Sequence, residues 1–196
     1  LICLAAGCGA VPPATGGQAS VAEGTVPGAS GPAVTAGNRD SAAVVLVPEA
    51  LGETMLGNAG VTIDVSSAAR GYICVSYLGN NPKVKLQITR AEERTYTYDL
   101  HQGETEVFPL SQGDGTYRLS VFESIPGKEK TYTTLYSEAL DIALENEFLP
   151  FLYPNQYVNF QPDSEAVGQG EKLAAGAAED LDVVERVYEY VVSNIS

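Results

Sequence analysis

Val84-Lys-Leu-Gln-Ile88 decides the fold class, because three apolar residues two apart alternate with two polar ones. Successive side chains of a strand point to opposite faces, so Val84, Leu86 and Ile88 belong to a core side. Lys85 and Gln87, with Lys83 before them, belong to a wet side. The same period recurs in Val61-Thr-Ile-Asp-Val65, Tyr72 to Tyr77, Tyr96-Thr-Tyr98, Glu106-Val-Phe108 and Tyr117 to Phe122, and two further runs follow at Thr131 to Tyr136 and Ala139 to Leu144. These runs are rich in Val, Ile, Thr and Tyr, which suit a pleated, half-buried surface. Gly79-Asn80-Asn81-Pro82, Gln102-Gly103, Asp114-Gly115 and Pro126-Gly127 punctuate them with residues that accept a positive φ or fix it at the proline value. Seven or eight short strands predict a mainly β chain with an immunoglobulin-like antiparallel β-sandwich over residues 61–145. Tyr72 to Tyr77 is apolar or small on both faces, which predicts a central strand. Cys74 is the one cysteine in this region, so no disulfide is expected across the core.

Downstream, the texture changes twice. Residues 146–162 hold Phe148, Phe151, Tyr153, Tyr157 and Phe160 among Pro150 and Pro154, an aromatic connector with neither helical nor strand period. Over residues 163–196 Asp163-Ser164 offers an N-cap, with Glu165 in the first turn. Val167, Gly170, Leu173, Ala174 and Ala177 then follow at helical spacing, weakened by glycine. A second helix is expected from Glu179, with Leu181, Val184, Val187, Tyr188, Val191 and Ile195 as its apolar stripe and Asp182, Glu185, Arg186 and Glu189 opposite.

The chain carries 11 Lys plus Arg and 25 Asp plus Glu, a formal net charge of −14. Phosphate backbones need a basic surface, so nucleic acid is not an expected partner. Most of the acidity lies after residue 137, where twelve carboxylates face two cations. Those carboxylates lack the alternation of an EF-hand loop and read as a solvated face. One His and three Cys do not make the common zinc spacings, and no Gly-x-Ser-x-Gly or phosphate-binding glycine loop occurs. No metal, cofactor or catalytic residue is assigned. Cys74 and His101 are the one pair that could suggest nucleophilic chemistry. Cys74 reads as a buried structural residue in mid-strand and His101 as a solvated turn residue.

Upstream, residues 9–60 form a linker rich in Gly, Pro and Ala, and no aromatic residue precedes Tyr72. Such a segment buries too little apolar area to offset its backbone entropy and is expected to be mostly disordered. Residues 9–47 as a flexible coil would span roughly 35 Å root-mean-square. Leu1-Ile-Cys-Leu-Ala-Ala-Gly-Cys8 resembles the tail of a bacterial signal peptide ending in a lipobox. That resemblance implies lipidation at Cys8, a membrane partner through that lipid, and an extracytoplasmic location on a bacterium of Gram-positive type. The chain opens on Leu1 and stops at Ser196 inside an amphipathic pattern, so it is expected to be a portion of a longer protein.

Glu171-Lys-Leu-Ala-Ala-Gly-Ala177 followed by Asp180-Leu-Asp-Val-Val-Glu-Arg-Val-Tyr-Glu-Tyr-Val-Val-Ser-Asn-Ile-Ser196 resembles the opening of bacterial transglutaminase-like domains. The match runs through the small-residue helix, the acidic break and the Tyr188 or Tyr190, Val191 or Val192, Asn194-Ile195 pattern. Anchor, linker, sandwich and aromatic connector together are similar to clostridial-type lipoproteins of that family. The resemblance to the catalytic domain covers about the last 35 residues of this chain. The family's Cys, His and Asp lie further downstream, and no residue here matches them. It implies a non-catalytic N-terminal half, with the sandwich as spacer or accessory before a cysteine-dependent acyl-transfer or amide-hydrolysis domain. The second reading is an adhesin-like or carbohydrate-binding sandwich that recognises an envelope protein or glycan, with Tyr96 and Tyr98, and Tyr132 and Tyr136 if that strand is regular, as stacking platforms.

Overall fold

The computed structural model describes residue 37, residues 40–91 and residues 93–195. The lipid site expected at Cys8 and the linker through residue 36 lie outside the described residues. Eight strands form: β1 Met55–Asn58, β2 Val61–Asp64, β3 Tyr72–Tyr77, β4 Val84–Arg90, β5 Thr95–Leu100, β6 Thr105–Pro109, β7 Gly115–Ser124 and β8 Tyr132–Ile142. They make two antiparallel four-stranded sheets, ordered β1-β2-β3-β6 and β5-β4-β7-β8. The chain changes sheet between β3 and β4, between β5 and β6, and between β6 and β7, the Greek-key connectivity of immunoglobulin-like sandwiches.

Alternation fills the space between the sheets. Ile63, Ile73, Val75, Leu86, Ile88, Phe108, Tyr117, Leu119 and Val121 are all essentially inaccessible and belong to one cluster. Each such side chain contributes about 1.5–3 kcal/mol by leaving water. Leu86 lies opposite Tyr98 on one side and Val121 on the other, so the pattern read in β4 sets the pairing of its whole sheet. Tyr117, near the start of β7, is buried with its hydroxyl in use. It donates to the Gly113 carbonyl at 2.8 Å and accepts from the Gln112 N–H at 3.1 Å, tying the strand to the loop before it. That bond is the corner device of this sandwich class.

β3 is central, between β2 and β6, and is buried on both faces. Ile73, Val75 and Tyr77 face the other sheet. Tyr72 and Cys74 face outward, and Tyr153 of the aromatic connector covers them, its ring centroid 4.6 Å from that of Tyr72. The connector is therefore a third layer over the first sheet. Gly71 makes this close approach possible: its φ is +91°, and a Cβ there would sit 2.5 Å from Pro150. Arg70 lies over the Tyr153 ring, its guanidinium carbon 5.3 Å from the centroid.

Three sequence expectations need correction. The linker expected through residue 60 gives way earlier to structured chain. Leu46 packs on the Tyr72–Tyr153 cluster, the Glu49 N–H bonds the Tyr72 hydroxyl at 3.0 Å, and β1 pairs with β2. β1 lacks alternation and has a glycine at its third position, so propensity alone hides it. Thr131 to Tyr136 and Ala139 to Leu144 are not two strands but one, β8. Its pairing with β7 slips between Val121 and Phe122, where Val121 faces Tyr136 and Phe122 faces Thr134. Leu135 is the extra residue of a β-bulge and packs on the core, while its carbonyl accepts from the Asn58 side chain at 2.9 Å. The slip also puts Tyr132 and Tyr136 on opposite faces, so they cannot form one platform.

Two helices follow, α1 Glu165–Ala174 and α2 Asp180–Asn194. Ser164 takes the extended N-cap backbone of α1, but its hydroxyl makes no capping bond. Asp182 starts α2 by accepting the N–H groups of Ala178 at 2.9 Å and Glu179 at 3.1 Å. These backbone bonds hold its carboxyl below the usual aspartate range.

Candidate functional site

Cys74 and His101 do not come together as a nucleophile and its base. Cys74 is buried on the outer face of β3, opposite Val107 and Asp64. Burial, helped by the charge of Asp64, pushes its thiol up to about 11, the reverse of what an attacking thiolate needs. Asp64 itself is kept ionised. Burial alone would raise its carboxyl, but donors from Ser66 and the Gly52 N–H, the latter at 2.6 Å, outweigh it and leave the carboxyl below its ordinary value. Those bonds tie the end of β2 to the chain before β1 and to the turn that follows β2, a structural task.

His101 opens the β5–β6 turn. Its Nδ1 lies 2.9 Å from Glu106 Oε1, and its N–H donates to Glu106 Oε2 at 2.7 Å. Gln156 of the connector donates to the same carboxylate at 2.6 Å and to the Asp99 carbonyl at 2.6 Å. The Glu106 bond raises the imidazole pKa above 6.5. A shallow cleft of about 200 Å³ lies beside this group, lined by Thr105, Glu106, Asn155, Gln156, Asn159 and Gln161. Of its lining, Glu106 and the Gln156 amide nitrogen join the connector to the sheet, Thr105 bonds Ser76 and Asn155 bonds its own turn.

The tyrosines proposed as platforms divide. Tyr98 faces inward, edge-on to Phe108 at 5.0 Å, and burial lifts its hydroxyl to about 12. Tyr96 and Tyr136 pack against the same core. Of the four, Tyr132 alone is exposed, at the outer face of the second sheet. Sequence reasoning missed Tyr157, which is exposed and stacks on Tyr98 at 5.5 Å. Nothing in an irregular aromatic run marks which ring lands on a strand.

The other distinctive surface is the helical pair. α1 and α2 pack on each other, and Arg186 reaches back to donate to the carbonyls of Leu173 at 3.1 Å and Ala175 at 2.8 Å. Ala177, between them, is the one residue of the pair that is fully buried among the described residues. Leu181, Val184, Tyr188, Val191, Val192 and Ile195 of the expected stripe and its flank stay exposed, Leu181 at 73%. No helix among the described residues is long and apolar enough to cross a membrane, and no cluster of candidate metal ligands occurs among them.

No protein-family model matches the chain, and no curated protein matches it. Among solved structures, a chain from a computer-based redesign of a β-sandwich protein is similar, with 10% identity over 53% of this chain and 100% of that one and a TM-score of 0.32. The fold stands on the strand order and register described above.

Proposed function

We propose that this chain is the non-catalytic N-terminal part of an extracytoplasmic lipoprotein, held to the membrane through a lipid on Cys8. The sandwich is the spacer, and α1 with α2 opens a transglutaminase-like domain that performs cysteine-dependent acyl transfer or amide hydrolysis. The observation that carries this reading is the apolar stripe of α2. A helix of this amphipathicity is stable in a globular protein when its stripe is covered, yet Leu181, Val184, Tyr188 and Val191 stay exposed. A following domain is the occupant that the resemblance of residues 171–196 names. The buried, raised thiol of Cys74 fits a portion that leaves the chemistry to residues further on.

The test is the native reading frame past Ser196 together with hydrogen exchange. A Cys, a His and an Asp in that order, and amides of residues 181–195 that exchange more slowly in the longer product than in residues 40–196, support the proposal. A frame without that order, or equal exchange in both products, overturns it. Labelling with a radioactive fatty acid in a bacterial host, lost on Cys8→Ser, tests the anchor separately.

A further inference from the structure

Four of the five lysines of this acidic chain converge on one surface, although they lie far apart in sequence. Lys83 and Lys85 come from the start of β4, and Lys128 and Lys130 from the hairpin between β7 and β8. Pro126-Gly127 makes a tight turn there: Gly127 takes φ +77°, and the Lys128 N–H returns to the Ile125 carbonyl at 3.1 Å. The Ser124 N–H bonds the Lys83 carbonyl at 2.9 Å, which sets the hairpin beside the entry of β4. Three open grooves of about 370, 460 and 600 Å³ adjoin here, and Tyr132 lines all three. Lys85 and Lys130 line two each, as does Lys83, and Phe122 lines one. Four lysines against Asp99 and Glu129 leave the grooves at a net +2 in a chain of formal charge −14. Lys85 is paired with Asp99, while Lys83, Lys128 and Lys130 have no ion-pair partner among the described residues.

We infer that the Tyr132 grooves bind an anionic polysaccharide, with the ring of Tyr132 stacked on a sugar face and Lys83, Lys128 and Lys130 on its carboxylates or phosphates. This site is independent of the helical pair and of any following domain. Charge complementarity selects an anionic ligand, because the patch inverts the sign of its own chain. The aromatic surface selects sugar over a plain acidic peptide: the part-exposed Tyr132 ring lies beside Gln87 and Thr97, whose mutual bond at 3.3 Å leaves the Gln87 Oε1 acceptor and the Thr97 hydroxyl proton for sugar hydroxyls, which suits a ligand with both an apolar face and a polar rim. Adjoining grooves rather than one closed pocket suit a linear polymer.

Affinity electrophoresis of the full chain through gels holding polygalacturonate or a glycerol-phosphate glycan, with dextran and polyglutamate as comparisons, tests the site. Retardation by either anionic glycan supports the proposal, and their ratio tells carboxylate from phosphate. Tyr132→Ala and the pair Lys128→Glu with Lys130→Glu should each weaken retardation about tenfold, equivalent to about 1.4 kcal/mol. Lys172→Glu, which alters the remaining lysine on α1, should leave it unchanged. Thermal melts of each variant separate lost binding from lost folding, since these side chains lie outside the core. Added salt should weaken retardation, as the charges are exposed. Three results overturn the proposal: no retardation of the parent chain by either anionic glycan, equal retardation by dextran, or equal retardation by polyglutamate that survives Tyr132→Ala. The last would identify an acidic protein segment as the ligand class.

Discussion

The sandwich and the helical pair have similar shares of apolar residues along their elements but opposite fates for them. In the sandwich, alternating residues disappear between two sheets, and the connector then closes the outer face of the first sheet over Tyr72 and Cys74. In the helical pair, amphipathic patterns of comparable clarity leave Leu181, Val184 and Tyr188 in water. Pattern alone states which face wants burial. Whether it is buried depends on what the rest of the chain brings to it, and here the connector covers the sheet while the described residues leave Leu181, Val184 and Tyr188 of α2 uncovered.

This contrast can be broken most directly in the core. Phe108→Ala removes a fully buried ring between the sheets and should cost about 3–5 kcal/mol in urea unfolding followed by tyrosine fluorescence. A loss under about 1 kcal/mol would mean that the sheets are less tightly joined than their geometry requires. Next comes the third layer. Tyr153→Ala uncovers Tyr72 and Cys74 and should cost about 2 kcal/mol. It should also speed alkylation of Cys74 by iodoacetamide, and unchanged alkylation would show that the connector does not shield that face. Then the helical pair: Leu181→Ser with Val184→Ser should change the unfolding of the sandwich by less than about 0.5 kcal/mol, because both side chains are exposed. A larger loss would place α2 against the sandwich in solution.

The smallest effect is electrostatic and joins the connector to the turn. His101 is the chain's one histidine, so its proton NMR titration needs no assignment. The Glu106 carboxylate holds its pKa above 6.5 in the folded state. The sign follows from linkage: the added stability is full below the unfolded value of about 6.5 and is lost as pH rises through the raised folded value. His101 is largely exposed, so water screens the pair and the effect is small. Glu106→Gln should return the titration toward 6.5, and an unchanged midpoint would remove Glu106 as the cause.

Legibility in the sequence tracked how local each determinant is. β4 was readable because five residues carry a full alternation and both neighbours answer it in register. The helices were readable because their stripes are local. β1 was not, since Met55-Leu-Gly-Asn58 gains its strand form from pairing with β2. The bulge at Leu135 was not, because an extra residue is visible only against the partner strand, and it reversed the reading of Tyr132 and Tyr136. The lysine grouping around Tyr132 joins positions up to 47 residues apart and needed the hairpin turn to be placed first.

The bulge has a further consequence at the rim of the sheet. β8 is the longest strand and ends its sheet, so its outer N–H and C=O groups offer a template on which another chain could build. The extra residue at Leu135 interrupts that template near its middle, and Asn58 engages the carbonyl of the bulged residue itself. Neither half of the edge then presents a long, flat run of free backbone. A single inserted leucine thereby guards the sandwich against strand-to-strand aggregation, a protection that matters most wherever many copies are held close together.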